Sequence, residues 1–383
     1  MTNKILNITL GLLLVFSQQG IAQKPEQIYS HAQVRKSNEF YIEQIALWKK
    51  ETEKDKTNAN AWYNYYKANR YAHASGGHDS MYARNRFQKI EGIVKEIEAN
   101  IPNTFEAHFI KWANGYNNWD LLPELEKAYA INPNRWETYD GFINLYEAQR
   151  NIEKRDVFVK KLFDSEKRSP GLLNYNYNVL MSLKPNAILI TAGDNDTYFA
   201  WMLQVAMGVR KDVLIVNVGL GGMKQYADNL SKELGVNLPN TEVMNYDLYA
   251  SKLFKELVKN KAKRPVYAAL TVGEEFIKPV EQNLYLIGLA YEYNTEPIDN
   301  IALLKKNFEK VYELDYLNHS FAKDPYETIV DVANSNYTVP MLTLYNHYKL
   351  SGDKERALFW REKVELVARK SGNEKELSDY FKD

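Results

Sequence analysis

"NAILITAGDNDTYFAWMLQ", residues 186–204, decides the fold class of this chain. An apolar run rich in Ile, "AILITAG" (187–193), reads as a strand buried on both faces, and it ends at Gly193 in front of Asp194-Asn195-Asp196. An aromatic helix then begins, "YFAWMLQVAMGV", and a second continuous apolar run, "DVLIVNVGL" (212–220), follows it. A strand, one helix and another strand within about 30 residues is the βαβ signature, which predicts parallel strands joined by a right-handed crossover. Helices are expected at "MKQYADNLSKELG" and "DLYASKLFKELVKN", and one strand each at "RPVYAALTV" (264–272) and "LYLIGLAYEYN" (284–294). Residues 184–296 therefore read as a small, mostly parallel α/β domain.

Ligands of open parallel sheets sit at the carboxyl ends of the strands. Three such ends are legible: "AGDNDTY" (192–198), "GLGGMK" (219–224) and "TVGEE" (271–275). They nominate Asp194, Asn195, Asp196, Thr197, Gly221, Gly222 and Glu274, with Glu275 beside it, as a binding crevice. Asp194 and Asp196 are the candidate ligands for Mg²⁺ or Mn²⁺, and backbone N–H groups at the helix start would take a phosphate or sugar phosphate. The same residues admit a plainer reading, in which Gly193, Asp194 and Asn195 form a turn and Asp196 or Thr197 caps the helix. "GLGG" lacks the spacing of a dinucleotide fingerprint. His73 and His78, with Asp79, offer two imidazoles and one carboxylate around a Gly pair, which also reads as a surface loop.

On either side of the α/β text the pattern is helical. "TNANAWYNYYKANRYA" (57–72), "IPNTFEAHFIKWANGY" (101–116) and "INPNRWETYDGFINLY" (131–146) each open on an Asn or Pro turn and continue as an aromatic-rich helix. "LEKAYAINPN" (125–134) resembles the end of a tetratricopeptide unit, and "MLTLYNHYKLSGDKERALFWREKVELVARKSG" (341–372) a whole one, with Leu344, Tyr348 and Ala357 at packing positions. The expected plan is α/β plus all-α, with tetratricopeptide-like helices at 23–183 and 297–383 flanking the sheet. Trp62, Tyr63, Tyr65, Tyr66, Trp112, Trp119 and Trp136 read as inter-helix core, and any that stay exposed would line a concave groove.

Composition limits the function. Forty-nine basic residues balance forty-nine acidic ones, so no net field draws the chain to nucleic acid or an anionic membrane. Lys4, the apolar "ILNITLGLLLVF" (5–16) and "SQQGIA" with Gly20 and Ala22 read as an export signal over 1–22, with the mature chain starting near Gln23. That apolar run is shorter than the roughly 20 residues of a membrane span, and no later run is longer. The chain has no cysteine, which removes disulfides, thiolate chemistry and cysteine metal ligands.

"GDNDTYFAWMLQVAMGVRKDVLIVNVGL" (193–220), together with the strand text at 264–272 and 283–294 and the helical text at 341–368, resembles a known family. It is similar to the soluble C-terminal region of Bacteroidota membrane proteins of the protein O-mannosyltransferase-like family, over roughly residues 173–370. In those relatives the helix usually carries Pro-Leu-Trp-Tyr; here it reads Phe199-Ala200-Trp201-Met202, so Trp201 matches and the Pro does not. "GLGG" also departs from the family's Ser-Leu-Leu type phrase. The membrane part to which sugar transfer is attributed has no counterpart here, so the resemblance implies the soluble module's role alone: holding an acceptor protein, a glycan or a partner subunit. The resulting expectation is an exported, non-catalytic binding or scaffold protein of the periplasm or cell surface, accessory to protein glycosylation. The alternative is a metal-dependent, glycosyltransferase-like transferase or hydrolase acting on a sugar phosphate or glycosylated substrate at Asp194 and Asp196.

Overall fold

Residues 23–37 run without helix or strand over the first helices; this computed structural model describes residues 23–72, 80–116, 118–260, 264–319 and 323–381. Residues 1–22, expected as an export signal, and His73, His78 and Asp79 lie outside the described residues. The N-terminal helices are α1 (Asn38–Lys54), α2 (Ala59–Tyr71), α3 (Ser80–Asn100), α4 (Phe105–Asn114), α5 (Leu122–Ile131), α6 (Tyr139–Ala148), α7 (Ile152–Asp164) and α8 (Pro170–Met181). The polar turn residues that punctuate the sequence start several of them. Asn58, Thr104 and Ser169 accept hydrogen bonds from the amides of Ala61, Ala107 and Leu172, each satisfying a donor that the first helical turn leaves open. Pairs α1–α2, α4–α5 and α6–α7 pack face to face. Trp62, Tyr66 and Trp112 are buried between them, whereas Trp119 and Trp136 are only partly covered.

The sheet follows: β1 (Ile188–Thr191), then α9 (Asp194–Met207), then β2 (Leu214–Asn217). Short α10 (Val218–Gly221), α11 (Lys224–Leu234) and α12 (Tyr246–Leu257) lead to β3 (Val266–Ala269), and α13 (Glu274–Ile277) to β4 (Leu284–Leu286) and β5 (Ala290–Tyr293). The order is β2-β1-β3-β5-β4, with β1 parallel to both β2 and β3 and with β5 antiparallel to β3 and β4. The sheet is therefore mixed rather than mostly parallel. The run at 284–294, expected as one strand, is a hairpin, because Gly288 bends it at φ +153°, where a Cβ would also run into the Tyr312 ring. "GLGG" lies largely in helix: its first three residues belong to α10.

After β5 come α14 (Asn300–Lys306), α15 (Glu327–Asn334), α16 (Thr338–Leu350), α17 (Lys354–Ser371) and α18 (Glu374–Tyr380). α16 and α17 form a close pair in which Leu344, Tyr348 and Ala357 are buried. One continuous apolar core runs from Tyr139 in α6 through the sheet to Leu377 in α18, and a second, between α1 and α4, holds Ile28 of the leading segment. Glu147 of α6, fully buried, accepts from Arg150 and, at 2.7 Å, from Arg155. Arg155 lies 5.2 Å over the buried ring of Trp201, so this ion cluster joins the helical layers to α9. No helix among the described residues is long and apolar enough to cross a membrane.

Candidate functional site

The Asp-Asn-Asp turn is the first turn of α9, and its residues face three ways. Asp196 points inward. Its carboxylate accepts from the amides of Ala192 and Gly193, both at 2.8 Å, and from the Thr271 hydroxyl beyond the end of β3. Burial raises its carboxyl above the usual range while these donors pull it back. Because strand order reverses about β1, the β1/β3 end is the switch point where ligands of such sheets bind. Here Asp196 and Thr271 bridge it. Thr197 is buried as well, bonded at 2.7 Å to the Thr191 hydroxyl and at 2.9 Å to the amide nitrogen of Asn217.

Asn195 points back to the chain's beginning. Its side-chain amide donates to the carbonyl of Ala32 at 3.1 Å, and its own carbonyl accepts from Asn176 at 2.8 Å. The segment it ties down is anchored further by Ile28 N–H on Asn64 Oδ1 at 2.8 Å and by Trp48 Nε1 on the carbonyl of Glu26 at 2.9 Å.

Asp194 points outward and makes no hydrogen bond or ion pair among the described residues. It lines two hollows. The smaller, about 380 Å³, lies beyond β1 and β2 with Gly193, Asn217, Gly219 and Asn144 on its wall. The larger, about 650 Å³, is a groove whose walls are the segment 27–33, α2, α4 and the stretch from Arg135 to Asp140, with Lys167 beside Asp194. The Asp194 side chain is exposed to groove water, with the groove wall packed around it. Partial desolvation by that wall raises its carboxyl to about 6, with Asp140 and Asp196 adding to the rise and Lys167 opposing it.

The other nominated residues stand apart. Gly221 is a packing position: a Cβ there would sit 2.6 Å from Tyr249 Oη, which is held by the carbonyl of Val218. Gly222 gives its carbonyl to the Thr241 amide and hydroxyl at 2.8 and 2.9 Å. Glu274 is exposed at the start of α13, loosely facing Lys278 at 3.9 Å, and Glu275 accepts from Tyr246 at 3.2 Å. No three His, Asp or Glu side chains converge in a metal-holding group among the described residues.

Tyr63, Tyr66 and Trp136, among the aromatic residues expected at a groove, are on its wall, and what sequence reasoning missed is the charged part of that wall. Lys67 is only 8% exposed, lies 4.0 Å over the Tyr63 ring, and has no carboxylate within ion-pair distance among the described residues. Burial lowers its ammonium to about 8. Arg135 holds Glu106 and Glu137, each at 2.5 Å, and Lys167 holds Asp140 Oδ2, leaving Asp140 Oδ1 buried without a partner. The usable signal was Lys67 itself, a cation set inside the aromatic phrase "WYNYYKANRY" that reads as core. A third hollow, about 780 Å³ around Asp315 and Lys370, contains none of the nominated residues. Its Asp324 carboxylate is taken up by Ser169 and the Gly171 amide, both at 2.8 Å.

No curated protein matches the chain. The family profile described as TMEM260-associated domain 2 matches residues 172–252, which span α8, β1, the Asp-Asn-Asp turn, β2 and most of α12. That match agrees, at a coarse level, with the likeness to O-mannosyltransferase-like proteins read from the sequence.

Proposed function

We propose that this chain is an exported, non-catalytic binding or scaffold protein of the cell envelope, accessory to protein glycosylation, in which tetratricopeptide-like helices present a groove floored by the α/β module. The observation that carries this reading is the groove itself, about 650 Å³, a volume suited to a small ligand or a short chain segment. It gathers side chains from five stretches of sequence, and Asp194 reaches it from the family-matched part. The alternative, a metal-dependent enzyme at Asp194 and Asp196, has less support, because the Asp196 carboxylate is already committed to two amides and a hydroxyl.

The test is hydrogen–deuterium exchange of the purified chain with and without envelope-derived polypeptides and glycans. Protection is expected at 27–33, 60–71 and 135–140, and an Ala113→Trp variant, which fills the groove from α4, should lose it. Protection confined to other surfaces, or an Ala113→Trp variant that binds as well as the parent, overturns the reading.

A further inference from the structure

The ionic groups of the groove are not evenly matched. Carboxylates outnumber cations on its lining by five to four. Arg135 pairs with two of the carboxylates, Glu106 and Glu137, and Trp136 Nε1 donates to a third, Glu166, at 3.2 Å. Lys167 bonds one oxygen of Asp140 and none of Asp194. Two buried groups on the lining remain without an ionic or hydrogen-bonding partner among the described residues, Asp140 Oδ1 and the Lys67 ammonium, and the Asp194 carboxylate beside them is exposed to groove water. Lys67 supplies the independent observation, since its side chain is more than nine-tenths buried, and Glu137, the carboxylate whose field it feels, is taken by Arg135.

From this pattern we infer that the groove recognises a zwitterionic ligand, a short peptide whose free amino group sits against Asp140 and Asp194 and whose carboxylate meets Lys67. The inference rests on the groove-binding reading above and adds the chemical class. The reasoning is electrostatic. Asp140 raises the Asp194 carboxyl by repulsion, and the one lysine that opposes this, Lys167, is bonded to Asp140. A neutral hydroxyl could donate to them, yet covering them with it would bury the surplus negative charge, whereas an ammonium cancels it. The same logic at Lys67 calls for an anion. A phosphorylated ligand fits poorly, since it would bring further negative charge to a lining already one carboxylate in excess. The aromatic faces do not favour sugar stacking either: Lys67 covers Tyr63 at 4.0 Å, Lys167 covers Trp136 at 4.7 Å and His31 stacks on Tyr71 at 4.2 Å.

Isothermal titration of the purified chain with trialanine, N-acetyl-trialanine, trialanine amide and maltotriose tests this. Trialanine should bind, and N-acetylation should weaken it about tenfold or more, the loss of one charge-assisted bond. Asp194→Asn should weaken trialanine similarly, and Lys67→Met should abolish the preference for trialanine over its amide, with each variant's melting temperature measured to establish folding. Equal binding of trialanine and its N-acetyl form, tighter binding of maltotriose, or no binding of trialanine overturns the proposal. The Ala113→Trp variant separates the two readings. If it loses peptide binding while acetylation has no effect, the ligand class is wrong and the groove stands; if it binds trialanine like the parent, the groove reading itself fails.

Discussion

At the carboxyl end of β1 and β3 the polar groups find one another, whereas across the groove wall they do not. Asp196, Thr271, Thr191, Thr197 and Asn217 form a connected set in which each side chain has a partner within the protein. Two residues earlier in the chain, Asp194 has none and stands exposed to the groove, on whose lining the buried Lys67 ammonium and Asp140 Oδ1 also lack a partner among the described residues. Partnered buried groups hold a fold in one arrangement, while unpartnered ones are kept against stability and suit an external partner. So two carboxylates that look equivalent in sequence belong to different regions and do different work.

The largest effect should come from breaking the satisfied side. Asp196→Ala removes the acceptor for the Ala192 and Gly193 amides and the Thr271 hydroxyl at one stroke. Each buried donor left unmatched costs about 1–3 kcal/mol, so a loss of about 3 kcal/mol or more is expected in urea unfolding. A loss below about 1 kcal/mol would mean that water replaces the carboxylate and that the switch point is open after all. Gly221→Ala comes next. Tyr249 Oη would lie 2.6 Å from the new methyl and is pinned by the Val218 carbonyl, so overpacking of about 1–3 kcal/mol should appear. Gly222→Ala, where the nearest atom is the methyl carbon of Thr241 at 3.2 Å, should be milder in the same measurement.

How much of this was legible in the sequence follows from what local pattern encodes. The strand cores of β1, β2 and β3 were readable because strands covered on both faces must be apolar at every position, and Ile188 to Ile190 and Val266 to Ala269 are indeed buried throughout. The hairpin was not, since an apolar run gives no sign of a chain reversal unless its glycine is read as a bend, and Gly288 sits between residues that suit a strand equally well. The turn's capping reading was right in kind and wrong in direction: Asp196 lies inside α9 and reaches back to the amides before it. Asp194 could be nominated from its neighbours alone. Its groove partners could not, because Lys67, Asp140 and Lys167 are scattered over 100 residues of helical text and meet only when the helix pairs stack.

A smaller effect should mark the junction between the regions. Asn195→Ala removes the bond to the Ala32 carbonyl, about 1 kcal/mol, from a segment that Asn64 and Trp48 still anchor. Amide exchange at 27–33 should quicken while the melting temperature barely moves. A global loss would show instead that this segment is part of the common core.

The smallest effect carries the sharpest sign. In the folded chain the Asp194 carboxyl is raised to about 6 from an ordinary 3.8. Between those values the folded state holds a proton that the unfolded chain has released, so stability falls as pH rises through that window, and above it the full penalty of the Asp194 charge stays constant. Asp194→Asn, which keeps the shape and loses the charge, should therefore raise the melting temperature slightly at pH 7–8. The gain should fade below about pH 4, where both states are protonated. Contact with groove water keeps the effect small. The start of α9 works the other way, since a carboxylate in the first helical turn is favoured by the helix dipole. Thermal melts of the two proteins across pH 4–8 weigh the terms directly. If Asp194→Asn is less stable at pH 7, the helix start dominates, Asp194 is a stabilising residue like Asp196, and the contrast between the two regions collapses.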